Sequence, residues 1–191
     1  MKKGELSILK KFKGLVLDAD GVLFDGKESR SYCPDTGALT ITKTRDLRDG
    51  QGLSFLRAIG IRILFASGEG EPLGSIVKKL NDLPSVHNNS WDPIEAFVGV
   101  NAQGSKRQKI EVWLSKHDLK WEECVYIGDD STDYDAMQKA GLKVAPATAT
   151  RLIKRIADLV LTKPGGNGCI REFAEMVLDA RGIDEATLPF T

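Results

Sequence analysis

Little in this chain points to an extracellular or membrane setting. Its three cysteines, Cys33, Cys124 and Cys169, are odd in number and widely spaced, giving neither a disulfide framework nor the CxxC pairing of a zinc or redox site. Only two histidines occur, His87 and His117, and their spacing offers no metal or catalytic pair. No apolar run nears the roughly 18 residues of a spanning helix, and MKKGELSILKKFKG carries lysines but no hydrophobic stretch of signal-peptide length. Net charge is missing too: 27 basic residues balance 27 acidic ones, so the basic face of a nucleic-acid binder is absent. The expectation is a soluble, cytoplasmic protein with a small-molecule partner, and no nucleic acid or membrane. Lys2, Lys3, Lys10, Lys11 and Lys13 read as a solvated leader rather than a basic arm.

What the chain does have is aspartate, in two clusters more than a hundred positions apart: Asp18 and Asp20 in LVLDADG, then Asp129, Asp130 and Asp133 in YIGDDSTD. Each cluster follows a short apolar run, Leu15 to Leu17 and Val125 to Ile127, as a buried parallel strand would end at a sheet edge. Similar runs recur at 14–18, 61–66, 124–128, 142–145 and 158–161. Helical patterns fill the gaps at about 50–59, 72–81, 105–117, 132–140 and 148–156, with a final amphipathic helix at 169–180. Strand then helix, repeated, predicts an α/β fold with a doubly wound parallel sheet, and 191 residues suit one domain spanning 1–191. Pro72 suits a first helical position, and Thr132 with Asp135 resembles a capping box.

Two segments break the alternation. CPDTGALTITKTR has the β-branched alternation and turn residues of a hairpin, placing a β-hairpin flap within 27–47. NDLPSVHNNSWDPIEAFVGVN is long for a plain loop and is read with a short strand around Phe97 to Val100. Glycines at 165, 166 and 168 introduce a C-terminal tail and helix over 165–191.

Open α/β sheets bind ligands outside the carboxyl ends of their strands. If the two acidic strands are neighbours, up to five carboxylates share one crevice, which raises their pKa values or calls for a cation. An oxygen-lined acidic pocket suits Mg²⁺, which readily shares a phosphate oxygen. On a phosphomonoester, one carboxylate can attack phosphorus while a second protonates the departing oxygen. Asp18 and Asp20, two residues apart, fall on one face of a strand, and Gly21 permits a sharp turn with N–H groups near phosphate. Read as a bare tetrapeptide, DADG is equally a solvated turn.

LDADGVLFDG, a strand-ending serine, an isolated lysine and GDDSTD follow one another as in the haloacid dehalogenase superfamily. The chain resembles its small capless phosphatases of sialic-acid-like sugars, with DG at Asp25 and Gly26, RDGQGL at 48–53 and GGNGCIREF at 165–173. The resemblance implies Asp18 as nucleophile, forming an aspartyl phosphate, and Asp20 as general acid and base. Ser67 would bind the phosphoryl oxygens beside Gly21 and Gly68. Lys106, 23 residues before Asp129, would neutralise phosphate and is preferred over Lys109. Mg²⁺ would be held by Asp18, Asp129 and the Asp20 carbonyl, with Asp130 and Asp133 ordering the surroundings, although Asp133 alone could simply favour a helix start. Arg48 and Arg171 are candidates for a substrate carboxylate. The resemblance also implies a phosphorylated sugar acid as substrate and a homotetramer, in which Tyr32 to Thr44 and Gly165 to Gly168 help close active sites without a large cap domain. Another small phosphomonoester, or a non-catalytic assembly domain like those attached to cytidylyltransferases, remain alternatives. Two departures stand out: Ser67-Gly68-Glu69 replaces the usual threonine-glycine-arginine, and the 69–105 segment is long.

Overall fold

The computed structural model describes residues 3–100 and 105–189; Lys2, Asn101 and the last two residues of the tail lie outside them. Six parallel strands form one sheet: β1 (Gly14–Leu17), β4 (Arg62–Ala66), β5 (Glu95–Phe97), β6 (Cys124–Ile127), β7 (Leu142–Ala145) and β8 (Leu159–Val160), ordered β5-β4-β1-β6-β7-β8. The hairpin strands β2 (Ser29–Tyr32) and β3 (Leu39–Thr42) pair only with each other, antiparallel, with Tyr32 opposite Leu39.

Strand order carries the functional consequence. From β1 the chain winds outward through β4 to β5, then returns across the sheet to place β6 on the other side of β1. The reversal puts a topological switch point between β1 and β6, where a ligand crevice is expected. Leu17 pairs with Ile127, and the Asp18 N–H donates to the Ile127 carbonyl at 3.0 Å. The two acidic clusters therefore leave the sheet side by side.

Alternation within the strands explains the two layers. Leu15, Leu17, Val125 and Ile127 face one side, where Leu53 and Leu56 of α2 (Leu47–Ala58) and Phe173 and Val177 of α8 (Cys169–Arg181) cover them. Val16, Cys124 and Tyr126 face the other, against Ile110, Trp113 and Leu114 of α5 (Ser105–Lys116) and Met137 of α6 (Tyr134–Met137). Each fully buried large side chain of this kind contributes about 1.5–3 kcal/mol. The apolar face of the last helix, Ile170, Phe173, Ala174 and Val177, is wholly inside.

Several boundaries differ from the sequence reading. The leader is not simply solvated: α1 (Lys3–Leu9) packs on α8, Leu9 and Phe12 are buried, and Arg181 donates to the Leu9 and Phe12 carbonyls at 3.1 and 2.7 Å. The long 69–105 stretch contains α3 (Leu73–Asn81) and α4 (Pro84–Asn88), and its strand is Glu95–Phe97, ending where it was expected to begin. Buried Arg57 pins this excursion by donating to the Leu80 and Asp92 carbonyls and Asn81 Oδ1. After β6, the capping box uses Asp130 and Asp133 rather than Thr132 and Asp135, because one 3₁₀ turn, Ser131–Asp133, precedes α6.

The 18–46 connection between β1 and α2 carries only the hairpin, whose eight strand residues are all exposed. Gly165 and Gly166 are buried against the chain's own turn after β1: a Cβ on Gly165 would lie 1.7 Å from the Gly21 carbonyl oxygen, and one on Gly166 would lie 2.2 Å from the Asp25 nitrogen. This glycine pair packs internally, against the turn that follows β1.

Candidate active site

A cleft of about 250 Å³ opens at the switch point, lined by Asp18, Asp20, Gly21, Gly26, Ser67, Gly68, Glu69, Lys106, Asp129, Asp130 and Thr132. Most come from just past the carboxyl end of a central strand, Lys106 from the start of α5 and Gly26 from the turn before β2. Asp18 follows β1, Ser67 follows β4, and Asp129 follows β6 after Gly128. Gly128 and Gly21 are demanded by close approach: a Cβ on Gly128 would lie 2.7 Å from Asp133 Cγ, and one on Gly21, whose φ is +80°, would lie 2.0 Å from Asp129 Oδ2.

Lys106 organises the anions. Its ammonium, almost fully buried, lies 3.0 Å from Asp18 Oδ2 and 2.7 Å from Asp133 Oδ1. Burial alone would lower its pKa, but the charges of Asp133 and Asp18 outweigh this and raise it, keeping the ammonium charged. Lys109 is instead exposed, 5.9 Å from the Phe97 ring centroid, so burial as well as spacing separates the two lysines. Asp133 is fully enclosed: Oδ1 also accepts from the Tyr126 hydroxyl at 2.9 Å, and Oδ2 accepts from the Asp129 and Asp130 N–H groups at 2.9 and 3.3 Å. It thereby shapes the backbone that presents Asp129. Asp130 is exposed at the rim and accepts from the Ser131 N–H at 2.7 Å.

Asp18 and Asp129 stand under strain from charge. Burial, then the charge of Asp133, pushes Asp18 up to about 7 despite Lys106. Burial, then Asp133 and Asp18, pushes Asp129 up to about 8. Oxygens of Asp18, Asp129 and Asp133 lie within 4.8 Å of one another, yet those of Asp133 are already committed. Asp129 Oδ1 is buried with no hydrogen-bond partner among the described residues, although a buried carboxylate oxygen without a donor is costly. A hard divalent cation supplies what such an oxygen lacks, and the all-oxygen donor set fits Mg²⁺.

Ser67 is buried, and its Oγ accepts from the Glu69 N–H at 3.1 Å, leaving its O–H to donate into the cleft. Glu69, the departure noted in sequence, lies on the same wall. Arg48 and Arg171 do not join this cleft. They line a separate one with Gln51, Lys163 and Glu172, and their guanidinium groups are already matched: Arg48 by Asp46 at 2.6 Å, Arg171 by Glu175 at 2.6 Å and Glu185 at 2.5 Å. Within the chain, the pair therefore lines this second cleft and not the acidic one.

The family profile described as haloacid dehalogenase-like hydrolase matches residues 56–172. The chain belongs to this family. Among curated relatives, the 3-deoxy-D-manno-octulosonate 8-phosphate phosphatase of Haemophilus influenzae is 30% identical over 174 residues, covering 91% of this chain and 87% of that protein. The Yersinia pestis enzyme of the same name superposes with a TM-score of 0.79 at 26% identity, over 95% of this chain and 89% of that one. The Moraxella catarrhalis enzyme, solved with magnesium ion, phosphate ion and KDO, gives 0.75 at 27% identity, over 95% and 94% of the two chains.

Some residues of the site escaped the sequence reading. Tyr126, buried and pushed up by burial and then by Asp133, was treated only as part of a strand, although its position three before Asp129 in a two-faced strand gave a usable cue. Asp49 of RDGQGL is fully buried and accepts from the Gly168 and Arg171 N–H groups at 3.1 and 2.9 Å, capping α8 rather than meeting the cleft. Lys43 contacts Asp20, and nothing local in the flap sequence marks it.

Proposed function

We propose that this protein is a Mg²⁺-dependent phosphatase that hydrolyses a phosphorylated sugar acid through an aspartyl-phosphate intermediate. The observation that carries the reading is Asp129 Oδ1, a buried oxygen with no donor among the described residues, beside a crowded Asp18. The relatives' named substrate and the magnesium and phosphate bound in one of them support the substrate class and the ion. Asp18 and Asp129, with the Asp20 backbone carbonyl, would hold Mg²⁺, which supplies charge neutralisation for the phosphate and its attacking carboxylate.

The chain's own groups divide the rest of the reaction. The Asp18 carboxylate, held by Lys106 and by the Ala19 N–H at 2.7 Å, attacks phosphorus in line with the departing oxygen. Asp20 gives that oxygen a proton, then takes one from the water that cleaves the acyl phosphate. Ser67 O–H, the Gly68 and Gly21 backbone and Lys106 meet the phosphoryl oxygens, whose charge spreads in the transition state. Asp133 and Tyr126 keep Lys106 and Asp129 in place. Glu69 puts a negative charge beside the site, so selection among acidic sugars rests on groups farther from phosphorus.

Exposed Tyr32, Leu39 and Ile41 on the flap support a homo-oligomer in which a second copy covers the hairpin and narrows the entrance. No described helix is long and apolar enough to cross a membrane, in keeping with a small cytoplasmic substrate. The test is phosphate release from a panel of sugar and sugar-acid phosphates with Mg²⁺, alongside Asp18→Asn. Turnover of a sugar-acid ester that disappears in the variant is the expected result. An oligomeric, folded protein that releases phosphate from none of them would favour a non-catalytic assembly domain.

A further inference from the structure

Lys43 stands at the foot of the flap, one residue past β3, where the Asp25 N–H donates to the Thr44 carbonyl at 3.1 Å and ties the hairpin's two legs together. The hairpin above it is exposed, yet the Lys43 side chain is only 4% exposed. Its ammonium lies 5.7 Å from the Phe24 ring centroid, and Nζ donates to both oxygens of Asp20 at 2.8 and 2.9 Å. An ammonium is strongly hydrated, and withdrawing one from water is favourable only against a well-placed acceptor. Among the described residues, no other donor reaches the Asp20 carboxylate. Asp18, by contrast, has Lys106 and a backbone amide, and Asp133 has four donors.

We propose that Lys43 is a positioning residue for Asp20, fixing the proton-transferring carboxyl group at the cleft mouth and coupling its orientation to the flap. The proposal rests on the phosphatase reading above. In the first step the Asp18 oxygen–phosphorus bond forms, the ester oxygen–phosphorus bond breaks, and the Asp20 proton passes to the departing oxygen. When Asp20 carries the proton, the carbonyl oxygen accepts from Lys43 and the O–H is left to face the leaving group. Without Lys43, a side chain one-third exposed rotates freely among staggered positions, and misplacement of about 1 Å can cost about a hundredfold in rate.

The experiment compares wild type, Lys43→Met and Lys43→Arg, with Mg²⁺, on two esters. One is the best alkyl sugar phosphate, whose alkoxide must be protonated as it leaves; the other is p-nitrophenyl phosphate, whose phenolate leaves without a proton. The ratio kcat/KM reports steps up to bond cleavage, so it isolates the proton donor. Lys43→Met keeps an apolar stem; its kcat/KM on the sugar phosphate should fall about 10- to 100-fold, mostly in kcat, given typical contributions of acid catalysis. On p-nitrophenyl phosphate the change should stay within about threefold, and Lys43→Arg should recover much of the loss on the sugar ester. Equal losses on both esters, or none on the sugar phosphate, would overturn the role of Lys43 and leave the phosphatase standing. A wild-type protein that cleaves neither ester would sink the phosphatase reading and the Lys43 role with it.

Discussion

Replacing Asp129 by asparagine should make the metal-free protein more stable and deaf to Mg²⁺. In the absence of metal, burial and neighbouring carboxylates hold Asp129 at about 8 instead of 3.8. Between those values the folded state binds more protons than the unfolded one, so stability falls as pH rises, with the full penalty present above about pH 8. At 1.36 kcal/mol per pH unit, the displacement from 3.8 to about 8 corresponds to ~6 kcal/mol at most. Water at the cleft mouth and proton sharing with Asp18 reduce this to about 1–3 kcal/mol. Asparagine keeps the shape and the backbone N–H bond to Asp133 but has no charge to bury. For a chain of 191 residues, a kcal/mol moves Tm by about 2–4 °C, so Asp129→Asn should melt roughly 2–10 °C above wild type in EDTA at pH 8. With Mg²⁺ the order should invert: an ion at a hundred times its Kd adds about 2.7 kcal/mol to wild type and little to the variant. Thermal melts of both proteins, with EDTA and with Mg²⁺, test the pair of statements. A variant less stable than wild type in EDTA, or one that Mg²⁺ stabilises equally, would refute the reasoning.

Other perturbations follow from the same geometry. Gly21→Ala places a Cβ 2.0 Å from Asp129 Oδ2 at a φ of +80°, so it should lose about 1–3 kcal/mol in urea melts and weaken the Mg²⁺ response. Asp49→Ala strips the acceptor from two amides at the start of α8 and should lower stability by about 1–3 kcal/mol, while turnover per folded molecule well below Tm stays near wild type. Because Asp18 and Asp129 sit at about 7 and about 8 without metal, and a cation binds their ionised forms, Mg²⁺ affinity should rise from pH 6 to 8. Calorimetry in buffers of different ionisation enthalpy should detect proton release on binding at pH 7; no release would contradict the crowding.

The sheet and the meeting of its acidic corners were legible because each depends on chain-local signals. Leu15 to Leu17 and Val125 to Ile127 are short apolar runs cut off by aspartate, and a repeated strand-helix order leaves few ways to arrange them. Gly21 and Gly128 could be suspected as turn glycines, but the contacts that require them, with Asp129 and Asp133, exist only after β1 and β6 pair. The spacing to Asp129 favoured Lys106 over Lys109, but the burial that sets them apart in the fold is not reported by a three-residue offset. The surroundings of Arg48 and Arg171 were hidden for a related reason: a guanidinium's partners are set by the fold, and here they are Asp46, Glu175 and Glu185. The α1 helix was missed because its few apolar residues gain their partners from α8, at the other end of the chain. Lys43 was invisible because a hairpin's foot is located by its packing and not by its strand pattern.

The most direct measurement is a crystal structure of the protein grown with Mg²⁺ and beryllofluoride, which mimics a phosphoryl group on a carboxylate. The account predicts the ion between Asp18 and Asp129, contacting Asp129 Oδ1, with beryllium bound to an Asp18 oxygen and Lys106 and Ser67 around the fluorines. An ion seated elsewhere, or Asp18 left unmodified while beryllofluoride binds another group, would contradict it.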